Sequence, residues 1–249
     1  MTRPLDEPSA SAPARYNAGQ VPFGHVETGD EISYVARSGP AVFHGLITGG
    51  EGSGMSTAVR AVTTALDASG EWSTSTVSCG GRDAPEQALD LLDQLEDRVQ
   101  ARRGGGLFRL LALDGFHRLV WDDRLAAHGF VARIERLAEV GPRHGVALLI
   151  ATESLLVSDF GNSTKLRARL AMHNLFALRS HNPSDRIPFE GVLLQPNRLP
   201  GGGGHAYTVL GGELVQLRID WPGGEHDDQA RHFNGALRSQ RGPRRSVLR

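Results

Sequence analysis

The chain has 249 residues, 39% of them hydrophobic, and a formal net charge of −1. That is enough for one sizeable buried core with tails, and a near-neutral chain has no global pull towards nucleic acid. Cys79 alone excludes an intrachain disulfide framework. With no apolar run of bilayer length and no basic-then-apolar leader, the expectation is a cytoplasmic protein without direct membrane insertion.

Residues 1–20 are rich in Pro, Ala and Ser and read as a disordered tail. Val21-Pro22-Phe23-Gly24 and Glu31 to Val35, joined by the turn-forming Thr28-Gly29-Asp30, read as short strands ahead of the main sheet. Ala41 to Ile47 is an apolar run and reads as the first core strand. The stretch from Thr57 to Leu66 places Ala58, Val59, Val62 and Leu66 at helical spacing.

Between strand and helix lies Gly49-Gly50-Glu51-Gly52-Ser53-Gly54-Met55-Ser56-Thr57. Strand, glycine-rich turn and helix are the layout of a phosphate-binding loop, G-x-x-x-x-G-K-[ST], with Gly49, Gly54 and Ser56 in register. Glycines let successive backbone N–H groups curl round an oxyanion, and the helix directs its positive end at the same point. Ser56 has the hydroxyl that binds magnesium. The lysine position is Met55, a thioether with neither charge nor N–H donor. The alternative reading is a glycine-rich turn with no ligand. Lys165 is the only lysine in the chain, and Arg60, one helical turn after Ser56, is a candidate substitute charge.

Further on, Trp72 to Cys79 reads as a strand with Val77 and Cys79 facing inward; Cys79 is read as a small core residue rather than a nucleophile. Ala84 to Gln100 is an amphipathic helix with Pro85 in its first turn, and Arg102 to Gly106 a flexible turn. Leu107 to Leu113 is a buried strand ending in Asp114, the Walker B pattern, in which the carboxylate helps hold magnesium near Ser56. The following position, where a glutamate would activate water, is Gly115. His117 sits in the loop that follows.

Phe130 to Val140 reads as a helix and Val146 to Ala151 as a strand closing at Thr152-Glu153, where open α/β sheets bind ligands. Lys165 to Met172 is a short basic helix or turn, Leu175 to Leu178 a strand, and Pro183 to Arg186 a turn. Ala206 to Leu210 and Leu214 to Ile219 form a hairpin about Gly211-Gly212. The tail from Gly223 carries Arg231, Arg238, Arg241, Arg244, Arg245 and Arg249, a solvated end or a contact for nucleic acid. The expected division is a tail over 1–20, a P-loop domain over 21–222 and a basic tail over 223–249.

In this order the pieces resemble the motor domain of the FtsK/SpoIIIE family, and the short spacing and last hairpin are most similar to EccC-type domains of type VII secretion. The resemblance rests on Val21 to Gly24, Gly49 to Ser56, Leu111 to Phe116, Ile134 to Gly141 leading into Leu148 to Glu153, Ser184 to Arg186, and Gly211 to Leu217. It implies a RecA-like α/β fold: a mostly parallel central sheet flanked by helices, with a C-terminal β-hairpin. It also implies a hexameric ring with ATP and Mg²⁺ at subunit boundaries. By position, Gly49 to Thr57 would form the nucleotide loop, Ser56 and Asp114 the magnesium side, Thr152 and Glu153 the sensor end, and Arg186 a group acting on a neighbour's nucleotide. Met55, Gly115 and Glu153 depart from that pattern at the chemical positions.

Three functions follow. The first is a pseudo-ATPase that binds nucleotide weakly or not at all and acts on a ring-forming ATPase, a secretion component or itself as an oligomer. The second is an ATP-dependent DNA translocase or conjugative transfer subunit using a neighbour's residues, with Asp114, Glu153 and Arg186 as candidate catalytic groups. The third is a DNA- or RNA-binding accessory protein working through its arginine-rich tail.

Overall fold

A computed structural model of the chain describes residues 19–101, 106–181, 187–189, 191–201, 203–210 and 212–220. Both tails, the turn at 102–105, Arg186 and Gly211 lie outside the described residues. The described residues begin with β1 (Gln20–Val26) and β2 (Glu31–Val35), then β3 (Arg37–Ser38), β4 (Ala41–Val42), β5 (Gly45–Thr48) and α1 (Met55–Ala68). Next come β6 (Trp72–Ser78), α2 (Ala84–Gln100), β7 (Phe108–Asp114), α3 (Phe116–Val120), α4 (Asp123–Ala126), α5 (Phe130–Val140), β8 (Val146–Thr152), α6 (Thr164–Ala171) and β9 (Leu175–Leu178). The last are β10 (Ile187–Phe189), β11 (Val192–Leu194), β12 (His205–Leu210) and β13 (Glu213–Ile219).

Nine strands form one sheet in the order β2-β1-β13-β12-β9-β5-β8-β7-β6. From β9 to β6 all neighbours are parallel, and from β2 to β9 all are antiparallel. The α/β fold with a parallel core and a C-terminal hairpin is as expected. β1 and β2 do not stand apart: β1 pairs with β13, Gly24 opposite Ile219. The sheet has a core on each face. Ala58, Val59, Val62 and Leu66 of α1 cover one, with Phe23, Tyr34, Ile47 and Phe176. Helices α2, α3, α5 and α6 cover the other through Leu92, Phe116, Ile134 and Leu170. The helical periodicity of α2 and α5 gave their bounds to the residue.

The run from Ala41 to Ile47 is not one strand. Ala41–Val42 pairs with Arg37–Ser38, and the core strand starts at Gly45. The cause is His44, which is buried. Its Nε2 is 2.8 Å from the Ala138 carbonyl, and its Nδ1 accepts from Leu148 N–H at 3.0 Å. These bonds turn the imidazole into a bracket between α5 and β8. They require Nε2 to donate and Nδ1 to accept, which is the neutral ring.

Burial pushes the His44 pKa from its ordinary value down to about 4. Above about pH 6.5 the ring is neutral folded or unfolded, and there is no linkage. Below it the unfolded chain takes up the proton first. Stability is therefore expected to fall as pH drops from about 6.5 through about 4, by about 3 kcal/mol from this residue. Denaturant midpoints at pH 7.5 and pH 4.5, for wild type and His44→Gln, check this. An equal acid-induced loss in both proteins would assign the slope elsewhere.

Candidate functional site

The register sets the site. Thr48 lies opposite Thr152, Asp114 opposite Ala151, and Ser78 opposite Asp114, so β5, β8, β7 and β6 end level with one another. Backbone bonds continue past the strands: Gly49 N–H donates to Thr152 O at 3.2 Å and Gly115 N–H to Ala151 O at 3.0 Å. The loop after β5 thus lies beside Thr152 and Glu153, with Asp114 one strand further on.

Gly49 is required by close approach. A Cβ there would stand 2.5 Å from Ser53 Oγ and 2.8 Å from Leu178 Cβ. Gly54 caps α1 at φ 98°, left-handed backbone that a side chain would strain. Gly50 N–H donates to Arg179 O and Ser53 N–H to Gly50 O. The amides of Gly52, Gly54, Met55, Ser56 and Thr57 find no acceptor among the described residues. The last three are first-turn donors that a helix cannot satisfy itself. The first turn of α1 carries no acidic residue. Open amides at a helix N-terminus form an anion-binding concavity.

Two buried hydroxyls at this level have no partner, Ser53 Oγ and Thr152 Oγ1, and His117 Nδ1 is a third such atom. Ser56 and Thr57 are exposed, Asp114 half-buried and Glu51 exposed. Among the described residues no group of three or more His, Cys, Asp or Glu is placed to hold a metal. A hydroxyl and one carboxylate are nonetheless the kind of ligands Mg²⁺ takes alongside phosphate oxygens and water.

Where a lysine would reach the phosphates, Met55 is half-buried against the α1-side core. Gly115 stands at φ 92° and starts α3, so His117 is on a short helix rather than in a loop. His117 Nε2 lies 3.3 Å from Glu153 Oε1, and an Arg118 guanidinium nitrogen 3.9 Å from the same oxygen. Glu153 is thus drawn towards two basic groups on α3. Arg60 is exposed. Cys79 is buried, its thiol pushed up to about 12 by burial and then by Asp114, which suits a core residue. Arg186 lies outside the described residues.

The structure adds two residues that the motif reading passed over. Arg179 follows β9, gives its carbonyl to the loop at Gly50, and has a buried Nε with no partner. His181 Nε2 lies 3.3 Å from the Glu51 carbonyl, and its ring edge would be 3.2 Å from a Cβ at Gly50. The available signal was positional: β9, like β8, is a parallel neighbour of β5, so residues just past it border the loop.

No protein-family model matches the sequence, and no curated protein matches it. Solved structures do share its fold. The cytoplasmic domain of the Thermomonospora curvata type VII secretion ATPase EccC superposes with a TM-score of 0.59 at 21% identity, over 87% of this chain and 30% of that one. The pCW3 conjugation coupling protein TcpA, a monomer form with ATPγS, gives 0.66 at 19%, over 90% and 71%. EssC (ATPases 2 and 3) from Geobacillus thermodenitrificans gives 0.57 at 18%, over 83% and 42%. The chain therefore spans under half of the EccC and EssC chains, and what it shares with all three is a P-loop NTPase fold.

Proposed function

We propose that this P-loop fold belongs to a secretion or DNA-transfer machine of the FtsK/SpoIIIE type. In it the chain acts as a non-motor subunit or domain that binds nucleotide weakly and works through contacts with a ring-forming ATPase, a secretion component or its own copies. The observation that carries the reading is Met55. Its half-buried side chain packs against the core at the position from which a cation would grip the β- and γ-phosphates.

The open amides of Gly52 and of Gly54 to Thr57 fit an oxyanion, and Ser53 Oγ and Thr152 Oγ1 are unsatisfied hydroxyls beside them. Ser56 and Asp114 would hold Mg²⁺, which supplies charge neutralisation across phosphate oxygens when bound. The chain's own residues do not complete the hydrolytic set. Gly115 has no side chain to activate water, and Glu153 is paired with His117 and Arg118. Glu51, exposed in the loop, adds negative charge against a triphosphate. Arg179 meets the loop through its backbone carbonyl rather than its guanidinium.

Calorimetry with Mg-ATP, beside a phosphate-release assay, tests the reading. Binding weaker than about 10 μM is expected, a range set by losing one charged phosphate contact, together with background turnover. Turnover of about 1 s⁻¹ or faster by the isolated chain, within the range of working enzymes, would overturn it.

A further inference from the structure

At the opposite end of the sheet from the loop, β6 and β7 begin under the C-terminal half of α2. On the face they turn to that helix, the register sets Ser73 beside Arg109, Ser75 beside Leu111 and Val77 beside Leu113. Val77, Leu111 and Leu113 are core residues packed beneath helices. Ser73 and Ser75, half-buried on the edge strand of the sheet, are too short to fill the same space under Leu91 and Leu95. The result is a cleft of about 760 Å³, open to solvent beside the edge strand, within the size range of small-molecule sites. Arg109 and Asp114 are five residues apart on β7, so the cavity lies about 16 Å from the loop's end of the sheet.

The charges in it are unbalanced. Arg109 donates to Ser73 Oγ. Arg98 donates to the carbonyls of Leu107 at 3.0 Å and His144 at 3.4 Å. Among the described residues the arginine ion pairs belong to Arg37, Arg118, Arg124, Arg133 and Arg169, and neither cavity arginine forms one. The one carboxylate in the lining is Asp97, exposed at the rim. Burial and then the neighbouring Arg109 charge hold the Arg98 pKa below its ordinary value, as two unneutralised cations in one cavity require.

We infer that this cavity is a second ligand site, separate from the loop, which takes a small organic anion by a carboxylate or phosphate head held between Arg98 and Arg109. The guanidinium nitrogens not bonded to Ser73 or to carbonyls are the donors, and planar two-oxygen heads match them. The body of the ligand lies over Ser73, Ser75 and Leu95.

The test uses the full chain labelled with ¹⁵N-arginine and titrated separately with inorganic phosphate and with citrate. The Arg109 Nε–Hε resonance is identified by its loss in Arg109→Lys. A saturable shift of that resonance is expected, and the probe that saturates first identifies the head group. Ser75→Leu fills the floor while keeping both arginines, and should weaken the response about tenfold or more by holding the ligand out of hydrogen-bond reach of a guanidinium. Met55→Lys should leave it unchanged. If Arg109 responds no more to either probe than to sodium chloride at equal ionic strength, or if Ser75→Leu folds and responds like wild type, the proposal fails.

Discussion

Replacing Met55 with lysine is expected to tighten Mg-ATP binding about tenfold to a hundredfold, the worth of a charged hydrogen bond to phosphate. Phosphate release should stay at background. The gain follows from what is already in place: open amides at the start of α1, hydroxyls on Ser53, Ser56 and Thr152, and a carboxylate at Asp114. The lysine stem can lie along the apolar surface that Met55 now covers while its ammonium extends towards the ligand, so little stability is at stake.

Turnover is a different matter, because Gly115 holds φ 92°. A glutamate there would cost about 1–2 kcal/mol in left-handed backbone, so the main chain itself disfavours an acid at this position. Calorimetry on wild type and Met55→Lys reads the first effect. Equal affinities in the two proteins would mean that the loop does not receive phosphate at all.

Asn174→Ala is expected to be the most damaging change away from the loop, at about 3–5 kcal/mol, for buried groups left without partners. Asn174 is buried. Its Nδ2 donates to Val35 O at 2.9 Å and His44 O at 2.8 Å, while its Oδ1 accepts from Val35 N–H at 2.9 Å. One side chain thus satisfies three backbone groups, between β2 and the residue that leads into β5. Asn174→Asp keeps the acceptor, loses both donors and buries a charge, so it should be no better than alanine. Denaturant unfolding measures both; a loss below about 1 kcal/mol, the scale of an ordinary surface change, would show that water or relaxation replaces these bonds.

Asn174 and His44 also mark where the sequence stops being legible. Local signals were sufficient where local physics decides. The periodic apolar faces of α2 and α5, the glycine spacing after β5 and the acid at the end of β7 were readable because each is specified by neighbours within a few turns. The break at Phe43–His44 was not, because its partners, Ala138 and Leu148, are about a hundred residues away and apolar composition carries no trace of them. The pairing of β1 with β13 is equally non-local. Of the site, the loop and Asp114 came from spacing, whereas the Glu153–His117–Arg118 pairing depends on α3, a five-residue helix begun by Gly115 and too short to show periodicity.

That pairing of β1 with β13 governs the order of assembly. The parallel block from β9 to β6 is complete once Leu178 has been made, and it can collapse around α1 and α2 as the chain emerges. The pair β1–β2, which precedes the block in the chain, must wait, with one edge open, until β13 arrives between it and the rest. Closing so long a loop is slow, and an unpaired edge held open invites pairing with another chain. During synthesis the vulnerable species is thus a finished parallel core with an unclaimed hairpin beside it. Its protection falls to the final residues of β13.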